Sequence, residues 1–227
     1  MIFFSPFDVL LIPALLIVLW AQFKVKSAYA KYSKVGVQSG MSGADIARLM
    51  LREEGIEQSV GMEVIPGEMT DHYDPRGRVL RLSDATYNGG SIASLGIAAH
   101  EVGHAIQHAR GYKALQLRNV IYPLCSIGET LGLPMVLIGF FMGFGPLVTA
   151  GILLFTVAVF FTIITLPVEF DASRRAVHAL AGSGYMSPDE LAGTRKVLNA
   201  AAMTYVAAAL AAILNLVRLV LIANSRD

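Results

Sequence analysis

The chain has 227 residues, enough for one to two domains of ordinary size. Hydrophobic residues make up 55%, charged residues 15%, and the mean hydropathy is +0.57, a membrane-protein composition that excludes an ordinary soluble domain. Eighteen Lys and Arg against 17 Asp and Glu leave a net charge of +1, so there is no electrostatic basis for a nucleic-acid partner, and the lone Cys125 excludes an internal disulfide or a multi-cysteine metal site.

The first apolar run, Ile2–Phe23, carries only Asp8 and predicts a membrane span near 4–23. Ala28-Tyr29-Ala30 has the form of a signal-peptidase site, but Lys24, Lys26, Lys31 and Lys34 follow the apolar run and no basic residue precedes it. That polarity is the reverse of a signal peptide, so the segment reads as an uncleaved anchor. Ser42 is placed to N-cap a helix running to about Glu54, with Gly55 as its stop and Ile46, Leu49, Met50 and Ile56 as its apolar stripe. Ser59–Ile65 and Val79–Ser83 read as strands with a turn at Asp74-Pro75-Arg76-Gly77, which makes 58–84 a small β-hairpin. A helix from Ile92 to Arg110 follows, closed by Gly111.

Between Asn119 and Val168 the only charge is Glu129. That run of about 50 residues fits two crossings, near 120–141 and 147–166, with a turn at Met142-Gly143-Phe144-Gly145-Pro146. A further helix runs from Glu169 through Ala181, and another starts after the cap Ser187-Pro188-Asp189-Glu190. Val197–Val217 carries no charge and predicts a fourth span near 203–223. The expected fold class is a mainly α membrane protein. It has four transmembrane helices and a small cytoplasmic α+β part whose β-hairpin lies beside the 92–110 helix.

The expected division is an anchor (1–23), a catalytic part (24–118), a transmembrane hairpin (119–166), polar helices (167–202) and a last span with a short tail (203–227). The two polar parts hold 16 of the 18 basic residues. Basic residues stay on the cytoplasmic side, so a multi-pass protein of the cell membrane with cytoplasmic polar parts is expected.

The 92–110 helix contains His100-Glu101-Val102-Gly103-His104, the pattern H-E-x-x-H. A spacing of four puts both imidazoles on one helix face, where they can grip one ion, with Glu101 beside them as general base. Zinc supplies Lewis acidity and lowers the pKa of a bound water. The glutamate takes that water's proton and returns it to the leaving amine. Gly103 lets another element approach the helix closely.

Catalytic zinc needs a third protein ligand. His108 extends the same stripe but stands about 12 Å along the axis from His100, too far to share the ion, and reads as packing or support. His72, in the hairpin, reads as a surface or substrate-side residue. Glu169, in Pro167-Val168-Glu169-Phe170-Asp171, is the best candidate because the chain crosses the membrane, turns and returns to the same surface there. Asp171 is the alternative ligand, or else a residue that orients a ligand or a neighbouring arginine. Arg174, His178 and Tyr185 lie within sequence reach of Glu169 as oxyanion donors. Val79, Leu80, Arg81, Leu82 and Ser83 form the strand expected to offer a free edge to an extended peptide substrate.

The sequence resembles the YugP-type membrane zinc metallopeptidases of bacteria. The resemblance rests on the N-terminal anchor, Asp71-His72-Tyr73-Asp74-Pro75 with Val79–Ser83, the segment Ala98–Gln107, and Pro167-Val168-Glu169-Phe170-Asp171-Ala172-Ser173. It implies a zinc-dependent endopeptidase of undefined substrates; the partners expected for the chain are a peptide or membrane-protein substrate and the lipid bilayer. A looser similarity is to the HtpX and prenyl-protein protease type of membrane gluzincin. Those carry H-E-x-x-H with a later Glu-x-x-x-Asp or Glu-x-x-x-His, whereas here Ser173 stands four residues after Glu169.

Two rival readings are a site-2-type intramembrane protease and a non-enzymatic scaffold or transport subunit holding a metal. No oligomeric state follows from the sequence. Two ionisable residues fall inside spans, Glu129 and Arg218, at depths that differ by about 9 Å. The expectations for them are a pairing of spans two and four through these side chains, or an Arg218 that snorkels outward while Glu129 is protonated or faces a cavity.

Overall fold

A computed structural model describes residues 5–182 and 184–225. Residue 4, the expected start of the first span, and Arg226 lie outside the described residues. The chain divides into two compact units. One comprises Met1–Gln22, Gln116–Pro167 and Met203–Asp227, and the other Phe23–Leu115 and Val168–Ala202.

In chain order the elements are a short 3-10 turn, Pro6–Leu10, then α1 (Leu11–Tyr32), α2 (Gly43–Glu53), β1 (Gly61–Ile65), β2 (His72–Asp74), β3 (Val79–Ser83), α3 (Asp84–Tyr87), α4 (Ile92–Ala109), α5 (Lys113–Met142), α6 (Gly145–Gly182) and α7 (Pro188–Asn224). The Pro6–Tyr32, α5, α6 and α7 segments are long and apolar enough to cross a membrane, at the four places the charge-free runs mark. α6, at 38 residues, is about 57 Å long, well beyond the roughly 30 Å of a bilayer core. It runs unbroken through Pro167, so Glu169 lies inside a continuous helix instead of opening a new one. A proline removes one helical hydrogen bond, and the packing on either side carries the helix past it.

Within the first unit, α5 and α6 form an antiparallel pair closed by Gly143. This residue sits at φ +66°, and the bond from Phe144 N–H to Gly139 C=O ends α5 in a left-handed cap. Small residues bring the two backbones together: a Cβ on Gly128 would stand 2.4 Å from the Leu154 carbonyl oxygen. The expected link between Glu129 and Arg218 is not formed. Arg218 Nε donates to Asp8 Oδ1 at 2.6 Å and Nη1 to Asn215 Oδ1 at 3.2 Å, whereas Glu129 sits on an exposed face of α5. Asp8 lies at the start of the first span and Arg218 near the end of the fourth, so opposite charges meet without a carboxylate at mid-depth.

The second unit is built on α4. Ser91 caps its first turn, and Gly111, at φ +62°, stops it through the bond from Tyr112 N–H to Gln107 C=O. Ser42 caps α2 in a reciprocal box with Asp45. Ile46, Met50 and Leu51 of α2, Leu80 and Leu82 of β3, Leu95 and Val102 of α4, and Leu180 of α6 form one continuous core.

The strands depart from the expected hairpin. They form a mixed three-stranded sheet in the order β1-β3-β2. β3 pairs parallel with β1 and antiparallel with β2, so the true hairpin is β2–β3 around the 75–78 turn. Val79–Ser83 is therefore the central strand, and its two backbone edges are occupied, which overturns its reading as a free edge for substrate. Leu80 and Leu82 are fully buried, and an alternating strand that fills a core takes the middle of a sheet. Arg81, on the other face, holds Asp74 and Glu63 from its two flanking strands, and Ser83 is bound through its N–H and hydroxyl to Asp71. The three-residue β2 lay hidden in the polar run Asp71–Asp74.

Candidate metal centre

α4 is apolar on nearly every side and buried along most of its length, so the polar groups it carries inward must find partners. Its close approach to α6 depends on Gly103. A Cβ there would lie 2.6 Å from the Ala172 carbonyl oxygen, so any larger residue would push the helices apart. With Gly103 between them, His100 and His104 lie one turn apart, their rings edge to face with centroids 4.7 Å from each other, facing the α6 segment that carries Glu169.

His100 Nε2 lies 3.3 Å and His104 Nε2 3.6 Å from Glu169 Oε2. The three potential ligand atoms all fall within 4.8 Å of one another, and this is the metal-compatible group among the described residues. Two ligands at zinc distances of about 2.0–2.1 Å and a tetrahedral angle stand about 3.3–3.4 Å apart. The His100–Glu169 separation equals that edge and the His104–Glu169 separation is about 0.2–0.3 Å longer, so small shifts of the side chains would let the three donors close on one zinc ion.

Hydrogen bonds behind the imidazoles fix which nitrogen faces the centre. Gln107 gives both amide hydrogens away, to Val168 C=O at 2.8 Å and to Asp171 Oδ2 at 3.0 Å. Its Oε1 is then turned to His104 Nδ1 at 3.0 Å and accepts the Nδ1 hydrogen, which leaves Nε2 with its lone pair toward Glu169. His100 Nδ1 is 3.1 Å from Ser173 Oγ, a hydroxyl that can accept the Nδ1 hydrogen and so is compatible with the same tautomer there. Burial pushes the His104 pKa down, but in the protonated ring the Nε2–H can donate to Glu169, and that bond with the charges of Glu101 and Glu169 outweighs burial and raises the pKa above the ordinary histidine value.

Of the residues singled out from the sequence, His100, Glu101, His104 and Glu169 come together here. Glu101 is buried and its charge acts on His104. Asp171 binds Gln107, Arg174 and Arg175, and so stands one residue removed from the three donor atoms. Tyr185 is not brought to the centre; its hydroxyl donates to Glu53 at 3.3 Å. His178 is exposed, on a surface groove it shares with Arg174. His108 accepts or donates a 2.8 Å bond with the Tyr73 hydroxyl, and His72 is exposed with Nδ1 against Thr70 C=O.

Two residues of the site escaped the sequence reading, Gln107 and Ser173. Both carried a signal. Gln107 stands three residues after His104, on the same side of the helix, and Ser173 occupies the fourth position after Glu169, where a supporting group belongs.

Two histidines from one buried helix, a carboxylate from a second helix and an adjacent buried glutamate are the equipment of a zinc metallopeptidase. The comparison with known proteins agrees: the family described as "Putative neutral zinc metallopeptidase" matches residues 7–224, and this chain belongs to it. The chain is 48% identical over 222 residues to a Bacillus subtilis (strain 168) protein named "Putative membrane protease YugP", covering 97% of this chain and 98% of that one. No solved structure matches.

Proposed function

We propose that this chain is a membrane-bound zinc endopeptidase in which His100, His104 and Glu169 hold the metal and Glu101 is the general base. The observation that carries the reading is the trio of donor atoms within 4.8 Å of one another, Glu169 Oε2 standing 3.3 and 3.6 Å from the two imidazole nitrogens, each imidazole contacted from behind. When bound, zinc polarises the scissile carbonyl and makes water a nucleophile at neutral pH. Glu101, next in sequence to His100, takes the proton of the attacking water and delivers it to the leaving amine nitrogen. Gln107 keeps His104 in the ligating tautomer, Ser173 orients the His100 ring, and Asp171 holds Gln107 in place.

Three protein donors leave one coordination position free, the arrangement of catalytic and not of structural zinc. Cys125, which a closed structural site would want, belongs to the other unit. An intramembrane site of the site-2 type calls for the motif on a spanning helix, and α4 is not among the four helices long and apolar enough to cross. The functional test is cleavage of unfolded peptides by the purified, zinc-loaded protein. Wild type turns over and Glu101→Gln does not; unchanged cleavage by Glu101→Gln would sink the reading.

The centre is assigned to the cytoplasmic face because 16 of the 18 basic residues lie in the polar parts. A cysteine at Gly143 labels from outside intact cells and one at Arg76 does not; the opposite pattern reverses the orientation.

A further inference from the structure

In the second unit a groove of about 420 Å³ runs between α6 and α7, beside the metal centre. Its α6 wall is a single helical stripe, Phe170, Ser173, Arg174, Val177, His178 and Ala181, related by steps of three and four residues over about 16 Å of helix. Its α7 wall is Arg195, Leu198 and Asn199.

Three properties bear on what it holds. First, Ser173 lines the groove, and the same hydroxyl contacts His100 Nδ1, so one side chain separates the groove from a proposed metal ligand. Second, no carboxylate lines it among the described residues, and its polar ends are the guanidinium groups of Arg174 and Arg195 with the His178 imidazole. Arg174 is committed to Asp171, whereas Arg195 is exposed and forms no ion pair among the described residues. Third, Phe170 is 43% exposed although it stands within the metal-bearing stretch of α6, and Val177 and Leu198 extend the apolar surface. A large aromatic side chain left open beside an uncommitted guanidinium suits a ligand with an apolar group and a carboxylate.

We propose that this groove is a substrate subsite that selects polypeptide segments carrying an apolar residue next to an acidic one, with Arg195 as the specificity-determining cation and Asn199, one turn further along α7, as its hydrogen-bonding companion. This rests on the peptidase reading, and it names the substrate class for that centre. Arg195 presents two parallel donors to a carboxylate, and Phe170 covers the neighbouring apolar side chain. An extended peptide seated in the groove passes Ser173 on its way to the metal.

The test uses the full-length, zinc-loaded Glu101→Gln chain in nanodiscs of neutral lipid and fluorescent decapeptides of the same apolar core flanked by Glu, Gln or Lys. Binding is expected to favour the Glu peptide over the Lys peptide by about fivefold, the scale of an exposed ion pair, and Arg195→Glu should abolish or invert that order with zinc content unchanged. Phe170→Ala should weaken all three peptides. Arg195→Gln, which keeps size and loses charge, should equalise them.

Equal binding of the three peptides, or a preference that survives both Arg195 variants, overturns the proposal. So does loss of binding to anionic-lipid vesicles in Arg195→Glu with peptide binding intact, which makes the groove a lipid headgroup contact. Turnover by the wild type separates this from the broader reading. Cleavage without charge preference defeats the subsite alone, and charge-selective binding without any cleavage defeats the peptidase alone.

Discussion

Ser173 Oγ lies 3.1 Å from His100 Nδ1, and by that contact a serine holds one of the two histidines that face Glu169. The serine sits one helical turn after Glu169 on α6, so the residue that offers a ligand atom and the residue that orients another ligand share one face of one helix. A neutral hydroxyl there supports the imidazole without adding negative charge to the centre.

Ser173→Ala should therefore keep the fold and lower zinc affinity about 10- to 100-fold, the usual cost of removing a supporting partner. Competition with a fluorescent chelator measures it. Ser173→Asp should tighten zinc relative to alanine. Equal affinity in wild type and Ser173→Ala would show that the contact does not orient His100.

Gln107 is fully buried and serves three partners at once, His104, Val168 C=O and Asp171. Gln107→Leu removes all three bonds and leaves the buried His104 Nδ1–H without its acceptor, while Asp171 keeps Arg174 and Arg175, so it should lower stability by about 1–3 kcal/mol and weaken zinc binding as well. Denaturation of the metal-free chain reads the first effect, and chelator competition the second. A variant that loses neither would refute the tautomer argument.

Zinc binding should fall as pH falls, and fall from a higher pH than an ordinary histidine would impose. His104 must lose its proton to ligate, and its raised pKa means that protons compete for it above about 6.5. The sign is fixed: lower pH protonates Nε2 and expels the metal. Zinc titrations at several pH values check it, and Gln107→Leu, which removes one raising contact, should move the midpoint down. A flat affinity between pH 5 and 8 would contradict this.

The Arg218–Asp8 pair should tie the first span to the fourth. Each side chain is about one-fifth exposed, so Arg218→Met or Asp8→Asn should cost roughly 1–3 kcal/mol, less than a fully buried pair. Thermal unfolding in detergent measures the loss, and the swap Asp8→Arg with Arg218→Asp should recover part of it. A swap no better than the worse single variant would show that the pair is incidental.

The four long apolar helices and the H-E-x-x-H helix were legible because their signals are local. Charge-free runs mark the spans, Ser42 and Gly111 mark helix ends, and a spacing of four puts His100 over His104. Glu169 was legible from chain geometry, since a chain that crosses, turns at 142–146 and crosses back returns to the surface it left. The sheet order was not legible. Whether Val79–Ser83 is an edge or a centre depends on β1, which joins it in parallel, and on β2, three residues long with no apolar alternation. Gln107 and Ser173 were hidden for a different reason: a polar side chain's role is set by what lies across the helix interface, and Gly103 brings that interface close. The partner of Arg218 escaped because Asp8 stands 210 residues away, at the opposite end of the chain.

Zinc stoichiometry in purified Glu169→Ala, measured beside wild type and Glu101→Gln, bears most directly on whether α4 and α6 together build one three-ligand centre. Wild type and Glu101→Gln should each hold one zinc per chain, and Glu169→Ala should lose most of it at the same free zinc concentration. Full occupancy in Glu169→Ala would place the third ligand elsewhere and contradict the assignment of the site.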